Sequence, residues 1–165
     1  MHSIGVCYMD QARCKCALQI FDQVLQKQVG EVGENEASTL STYHSIGRCL
    51  IRQGNYDQAL QVFEDLIQKE TNIEKTLDAI HEVGYCYMSK CKFVKAQETF
   101  ERVLNQQITH LGPHHLQTLN TLNNMGCLYM KQQQYEKYSN SPYSNKFARR
   151  RRKNLPTTTA VVSPV

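Results

Sequence analysis

No run of apolar residues in this chain approaches the roughly 20 that a membrane-spanning helix needs. The N-terminal stretch MHSIGVCYMDQARC lacks the basic start and apolar run of a secretory signal, which makes an intracellular, cytoplasmic address the expectation. Acidic residues stop at Glu136, whereas Lys146, Arg149, Arg150, Arg151, Arg152 and Lys153 follow it. Residues 1–145 hold 13 basic and 15 acidic groups, so the net charge of +4 is a property of the tail. The seven cysteines are odd in number and come without a secretory signal, which argues against a disulfide framework and for reduced thiols. A Gly-rich phosphate loop, HExxH, GxSxG and any paired-carboxylate arrangement are also missing. The chain is therefore not expected to be an enzyme, and no cofactor is expected.

What the chain does contain is repetition. Laid on itself, it aligns Gly5, Gly47, Gly84 and Gly126, with Ala17, Ala59 and Ala96 twelve residues on and Phe21, Phe63 and Phe100 sixteen on. Around three of the glycines, apolar residues recur at helical spacing: Leu40, Tyr43, Ile46 and Leu50; Leu77, Ile80, Val83 and Tyr87; Leu119, Leu122, Met125 and Tyr129. A second helix is expected to begin at the aromatic nine residues past the glycine, at Tyr56, Phe93 and Tyr135, after short polar turns such as RQGN and SKCK. Each unit is thus a helical hairpin. Mid-helix glycine costs about 1 kcal/mol relative to alanine, so its return implies a packing gain. The expected contact is glycine against alanine across the hairpin, with the phenylalanine filling space toward the next unit. The units fall at about 1–37, 40–74 and 77–116, with a partial copy at 119–138. Residues 139–165, polar and marked by proline, read as a disordered basic tail.

The stretches VGENEASTL (32–40) and LGPHHLQTL (111–119) both run from a glycine to a Thr-Leu opening the next helix, with Thr39 and Thr118 as candidate N-caps. Both ends of the repeat region read as cut: Met1 already occupies an apolar position, Tyr138 stands where alanine belongs, and Pro142 soon stops the helix. A piece or splice form of a longer array is the expectation.

The spaced residues Gly47, Leu50, Ala59 and Phe63 resemble the tetratricopeptide repeat, over residues 1 to about 138. Departures are Tyr43, Ile80 and Leu122 at the tryptophan position, Cys14 at an aromatic position, and glycine spacings of 42, 37 and 42 residues. The run HLGPHHLQTLNTLNNMGCLYMKQQQYEK is similar to the longer repeats of kinesin light chains, including the paired Asn123 and Asn124. GRCLIRQGNYDQA with NIEKTLDAIHEVGYCY resembles, less specifically, the tetratricopeptide subunit of the axonemal outer-dynein-arm docking complex. The resemblance implies an all-α fold, antiparallel hairpins stacked in a right-handed superhelix (an α-solenoid), and a scaffold or adaptor in a motor or cytoskeletal setting.

In such a stack the first helices line a concave groove for a peptide or partner protein. By helical phase, residues three before, one after, and four and five after each glycine should face it. The candidates are His44, Arg48, Ile51 and Arg52; His81, Tyr85, Met88 and Ser89; Asn123, Cys127, Met130 and Lys131; and, at the first copy, His2, Val6, Met9 and Asp10. The in-register histidines suggest a metal ladder, but neighbouring first helices lie roughly 10 Å apart, too far to share a zinc with bonds of about 2 Å. No metal is expected. Cys7, Cys49 and Cys86 share the position two past the glycine, which marks small packing residues rather than nucleophiles. The family's clamp for acidic chaperone tails is disfavoured, because His2 and His44 take the place of a lysine, Val6 and Arg48 replace asparagine, and Glu82 would repel. The alternative reading is a nucleic-acid-associated or nuclear protein. It rests on Arg149, Arg150, Arg151 and Arg152, which would hold phosphates in a salt-dependent way.

Overall fold

The structure, a computed structural model, describes residues 2–11 and 13–139. Met1, Pro142 and the arginine run lie outside the described residues, as does all of the tail beyond Ser139. The described residues form seven helices and no strand: α1 (His2–Asp10), α2 (Cys14–Glu31), α3 (Ala37–Arg52), α4 (Tyr56–Lys69), α5 (Ile73–Ser89), α6 (Phe93–His110) and α7 (Leu116–Ser139). Two compact units divide the chain, Met1–Leu128 and Tyr129–Val165. In the first, α1 pairs with α2, α3 with α4 and α5 with α6, and the hairpins join through α2 against α3 and α4 against α5. The fold is the expected all-α stack of hairpins.

The second helices begin at Cys14, Tyr56 and Phe93, but none begins at Tyr135. α7 instead runs unbroken from Leu116 to Ser139. Gln133 stands where the two preceding hairpins turn at Gly54 and Cys91, and the run from Met130 to Gln134 consists of good helix formers, so nothing stops the helix.

The glycines correct the expected packing. A β-carbon on Gly5 would lie 2.5 Å from Phe21 Cε1, one on Gly47 2.6 Å from Phe63 Cζ, and one on Gly84 2.7 Å from Phe100 Cε1. The glycine therefore faces the phenylalanine of its own hairpin, not the alanine. Because the chain reverses about seven residues past the glycine, the residue sixteen on returns level with it, whereas the alanine comes level with a point one turn further along. Phe21, Phe63 and Phe100 are fully buried, as are Ala17, Ala59 and Ala96. These rings join two apolar clusters. One contains Met9, Phe21, Leu40, Ile46, Leu50, Phe63, Leu66 and Val83. The other contains Leu77, Ile80, Met88, Phe100, Val103 and Leu128.

The hairpin turns share one hydrogen-bond pattern. Asn55 N donates to Leu50 O at 2.9 Å around Gly54, and Lys92 N donates to Tyr87 O at 2.9 Å around Cys91. Gly54 takes φ +78° and Cys91 takes φ +56°, so a side chain occupies the left-handed position in the second case.

Thr39 and Thr118 are not N-caps. α3 begins at Ala37 and α7 at Leu116, which makes each threonine the third residue of its helix, inside the first turn. Their hydroxyls donate backward, Thr39 Oγ1 to Gly33 O at 2.9 Å and Thr118 Oγ1 to Gly112 O at 2.8 Å. Thr76, at the equivalent place in α5, reaches Glu70 O at 3.4 Å and Asn72 O at 2.9 Å. Each hydroxyl thus gives a linker carbonyl a hydrogen-bond donor from inside the helix. Asn72 caps α5 through its side chain, Oδ1 accepting from Lys75 N at 3.1 Å, and before α7 His115 Nδ1 accepts from Gln117 N at 3.3 Å.

Gly47→Ala and Gly84→Ala should each destabilise the chain, because overpacking a rigid buried ring costs about 1–3 kcal/mol and the helix-propensity gain of about 1 kcal/mol offsets only part. Gly126→Ala should instead stabilise by about 1 kcal/mol, since a β-carbon there meets nothing within 4 Å. Urea melts of the three variants give the signs, and equal shifts would contradict the ring-on-glycine packing. Cys91→Gly should add about 1 kcal/mol by relieving the left-handed side chain, while Gly54→Ala should remove about as much. The same melts read both.

Candidate functional site

Three first helices of the N-terminal unit, α3, α5 and the beginning of α7, enclose an open cavity of about 340 Å³. Arg48, Ile51 and Arg52 line it from α3, His81, Glu82 and Tyr85 from α5, and Asn120, Asn123 and Asn124 from α7. Six of the residues expected from sequence meet here: Arg48, Ile51, Arg52, His81, Tyr85 and Asn123.

The others go elsewhere. Met88 is buried in the second apolar cluster, and Met9, its counterpart in α1, is buried in the first. Four residues advance a helix by about 400°, so this position lies only about 40° past the glycine, close to the partner helix; Ile51 holds it too and is half-buried at the edge of the hollow. Cys127 is half-buried against the second cluster. Met130 and Lys131 are exposed and belong to the C-terminal unit. Asn120 and Asn124 are groove residues that the sequence reading did not name, and Glu82 lines the hollow though it was expected only as a repulsive group. They sit two and six before their glycines, positions whose helical phase of about 160° and 120° points as directly at the groove as the position one after.

The histidines have work inside the fold. His2 lies 5.3 Å from Phe21, His44 5.5 Å from Phe63 and His81 5.6 Å from Phe100, ring centre to ring centre, each covering the phenylalanine that rests on its glycine. Each also faces the first helix of the next hairpin. His2 Nδ1 is 3.3 Å from Thr42 Oγ1, and His81 Nδ1 is 2.8 Å from Thr121 Oγ1. Asn124 Nδ2 donates to His81 Nε2 at 3.0 Å, so the proton of the neutral ring is on Nδ1, donated to Thr121, whose hydroxyl passes its own to Gln117 O at 3.1 Å. Burial pushes the His81 imidazole below the ordinary histidine range, against the pull of Asp78. This ring is therefore a neutral link between α5 and α7 rather than a contact left over for a ligand.

His44 has Ala79 where the other two meet threonine. Its Nε2 stands 3.0 Å from Asp78 Oδ2 instead. One turn along, Arg48 Nε is 3.6 Å from Glu82 Oε1. Burial pushes the Asp78 carboxyl up, but His44, His81 and Arg48 outweigh it and hold the group below the usual carboxylate range. For Glu82 the balance reverses: burial, helped by Asp78, raises the carboxyl, and Arg48 and His44 offset only part. Arg52 donates through Nη1 to Met9 O in the last turn of α1, a cation placed on helix carbonyls.

The thiols divide by position. Cys49 and Cys86 are fully buried between hairpins, and burial pushes them up to about 11 and about 12 respectively, which suits packing and not nucleophilic chemistry. Cys7 holds the same repeat position but is exposed, because no described helix precedes α1. Among the described residues, no cluster of three or more His, Cys, Asp or Glu side chains could hold a metal ion, and no helix is long and apolar enough to cross a membrane.

The family model described as tetratricopeptide repeat matches residues 1–68 and 75–137. Comparison with curated proteins finds no significant match. Among solved structures, the chain is similar to nearly identical TPR-like repeats ascribed to a kinesin light chain of Podosopora anserina. The TM-score is 0.68 at 19% identity, covering 94% of this chain and 75% of that one. A single-substitution variant of the same repeats gives a TM-score of 0.65 at 22% identity, covering 82% of this chain and 66% of that one. The chain thus spans about two thirds to three quarters of their length, and the likeness is one of fold.

The raised Glu82 carboxyl carries a prediction. A group whose pKa rises on folding favours the folded state below its unfolded pKa and loses that contribution as pH climbs through the folded value. Glu82→Gln should therefore raise the melting temperature at pH 7 and lose the gain below about pH 4, where both states are protonated. A variant that melts lower at pH 7 would show that the Arg48 contact wins over burial.

Proposed function

The chain belongs to the tetratricopeptide repeat family, and from that premise we propose that it is a non-catalytic scaffold or adaptor. It holds an extended segment of a partner protein in the hollow between α3, α5 and α7. The observation that carries this reading is the lining of that hollow. Asn120 and Asn123 are exposed amides able both to donate to and accept from a peptide backbone. Ile51 and Tyr85 are half-buried and give apolar side chains a place to rest. Arg48, exposed at the rim, can take an isolated acidic side chain, while Glu82 beside it disfavours a strongly acidic tail.

The setting is cytoplasmic and linked to a motor or the cytoskeleton; the similarity to repeats of a kinesin light chain supports it. In this reading the repeats that begin at 40, 77 and 119, a turn inside α3, α5 and α7, would be the units that build the groove. The arginines at 149 to 152 would add a salt-dependent contact to acidic surfaces or phosphates, which deletion of residues 146–153 should remove.

Peptides selected from a random display library on the full chain test the groove. Asn120→Ala with Asn123→Ala should weaken them by about tenfold or more with melting unchanged, and Arg48→Glu should weaken selectively those that carry an acid. Selected peptides that bind both variants undiminished would exclude this surface.

A further inference from the structure

Beyond the groove, α7 presents a second face that no helix among the described residues covers. Thr118, Thr121 and Leu128 of α7 are fully buried, yet Leu119 and Leu122 are each 47% exposed. Their counterparts are covered: Leu40 is buried and Tyr43 half-buried in α3, while Leu77 and Ile80 are buried in α5. Leu119, Leu122 and Gly126 fall on one stripe of the helix, at about 0°, 300° and 340° around its axis. In α1, α3 and α5 the glycine of this stripe carries a phenylalanine ring, whereas nothing lies within 4 Å of a β-carbon at Gly126.

We propose that this stripe of α7 docks an amphipathic helix from another protein, one bearing a small residue and, four positions on, a phenylalanine whose ring seats on Gly126. The occupant's chemistry follows from the interface the fold already makes three times. α2, α4 and α6 each bring an alanine and a phenylalanine at that spacing, Ala17 with Phe21, Ala59 with Phe63 and Ala96 with Phe100, and all six are fully buried. The chain does not repeat the pattern after Gly126. Tyr138 stands twelve residues on and Pro142 sixteen on, and proline cannot occupy a helix interior without losing a hydrogen bond and clashing with the preceding turn. Leu119 and Leu122 would supply the apolar flanks that Leu40 and Tyr43 give Phe63. This surface is separate from the groove reading and stands or falls without it.

A helix of the required kind exists in the chain itself and serves as the probe. A labelled peptide of residues 92–110, KFVKAQETFERVLNQQITH, carries Ala96 and Phe100. Fluorescence anisotropy should show saturable binding to the full chain. Phe100→Ala in the peptide, or Gly126→Leu in the chain, should each weaken it by about tenfold or more, while Asn120→Ala with Asn123→Ala leaves it unchanged. Gly126→Leu should keep full helicity, because leucine is the better helix former. Absence of binding overturns the proposal, as does binding indifferent to Phe100 or to Gly126. Two results would overturn a foreign helix as the occupant: sedimentation of the chain as a dimer that Gly126→Leu dissociates, or a photo-crosslinker at Leu122 that captures the chain's own residues 140–165.

Discussion

A phenylalanine ring lying where a β-carbon would otherwise be sets the geometry of every complete hairpin in this chain. At Gly5, Gly47 and Gly84 the missing side chain lets the ring approach to a distance no alanine would allow. This fixes the separation and the level of the two helices at once, because an aromatic ring is rigid and an interior at crystal-like density leaves it nowhere else to go. The histidine three residues earlier then closes over the same ring. One small residue thereby organises two layers: the contact within the hairpin and the polar link to the next.

That link explains how repetition becomes a surface. His2 meets Thr42 and His81 meets Thr121, so the first helix of one hairpin is tied to the first helix of the next by a hydrogen bond close to the apolar core. The threonine that folds back on its linker, at 39, 76 and 118, ties the start of each first helix to the connection before it. With these helices held side by side, residues about 100° to 160° from the glycine line face a common hollow. The groove is the remainder of each helix surface after the ring, the histidine and the threonines have used the rest.

The charges along that hollow are not a uniform lure for one sign. Asp78 and Glu82 sit one turn apart on α5 and face His44 and Arg48 of α3, but their carboxyls shift in opposite directions because the neighbours of Asp78, His44 first, outweigh its burial, whereas burial prevails at Glu82. A partner of mixed apolar and polar character fits such a lining better than a purely acidic tail. α7 contributes differently on its two sides. Its amides complete the hollow, whereas its leucines and Gly126 keep the form of a hairpin interface without the second helix that covers it elsewhere.

The sequence by itself determined the helices, the hairpin pairing and the period, since the recurrence of glycine, alanine and phenylalanine at fixed offsets encodes which residues turn inward. It also placed Arg48, Arg52, Tyr85 and Asn123 at the groove, because helical phase is a local property. Only the tertiary structure decided which contact the glycine makes. The level of Phe63 against Gly47 depends on where the chain reverses, and Gly54 and Cys91 set that point through a backbone conformation that spacing alone does not reveal. It likewise decided that His81 is occupied by Thr121 and Asn124, that Met88 points inward, and that α7 passes Gln133 without turning. These outcomes depend on what a neighbouring helix brings to the same point in space, and a neighbour some 40 residues away in the chain is fixed by packing rather than by local pattern.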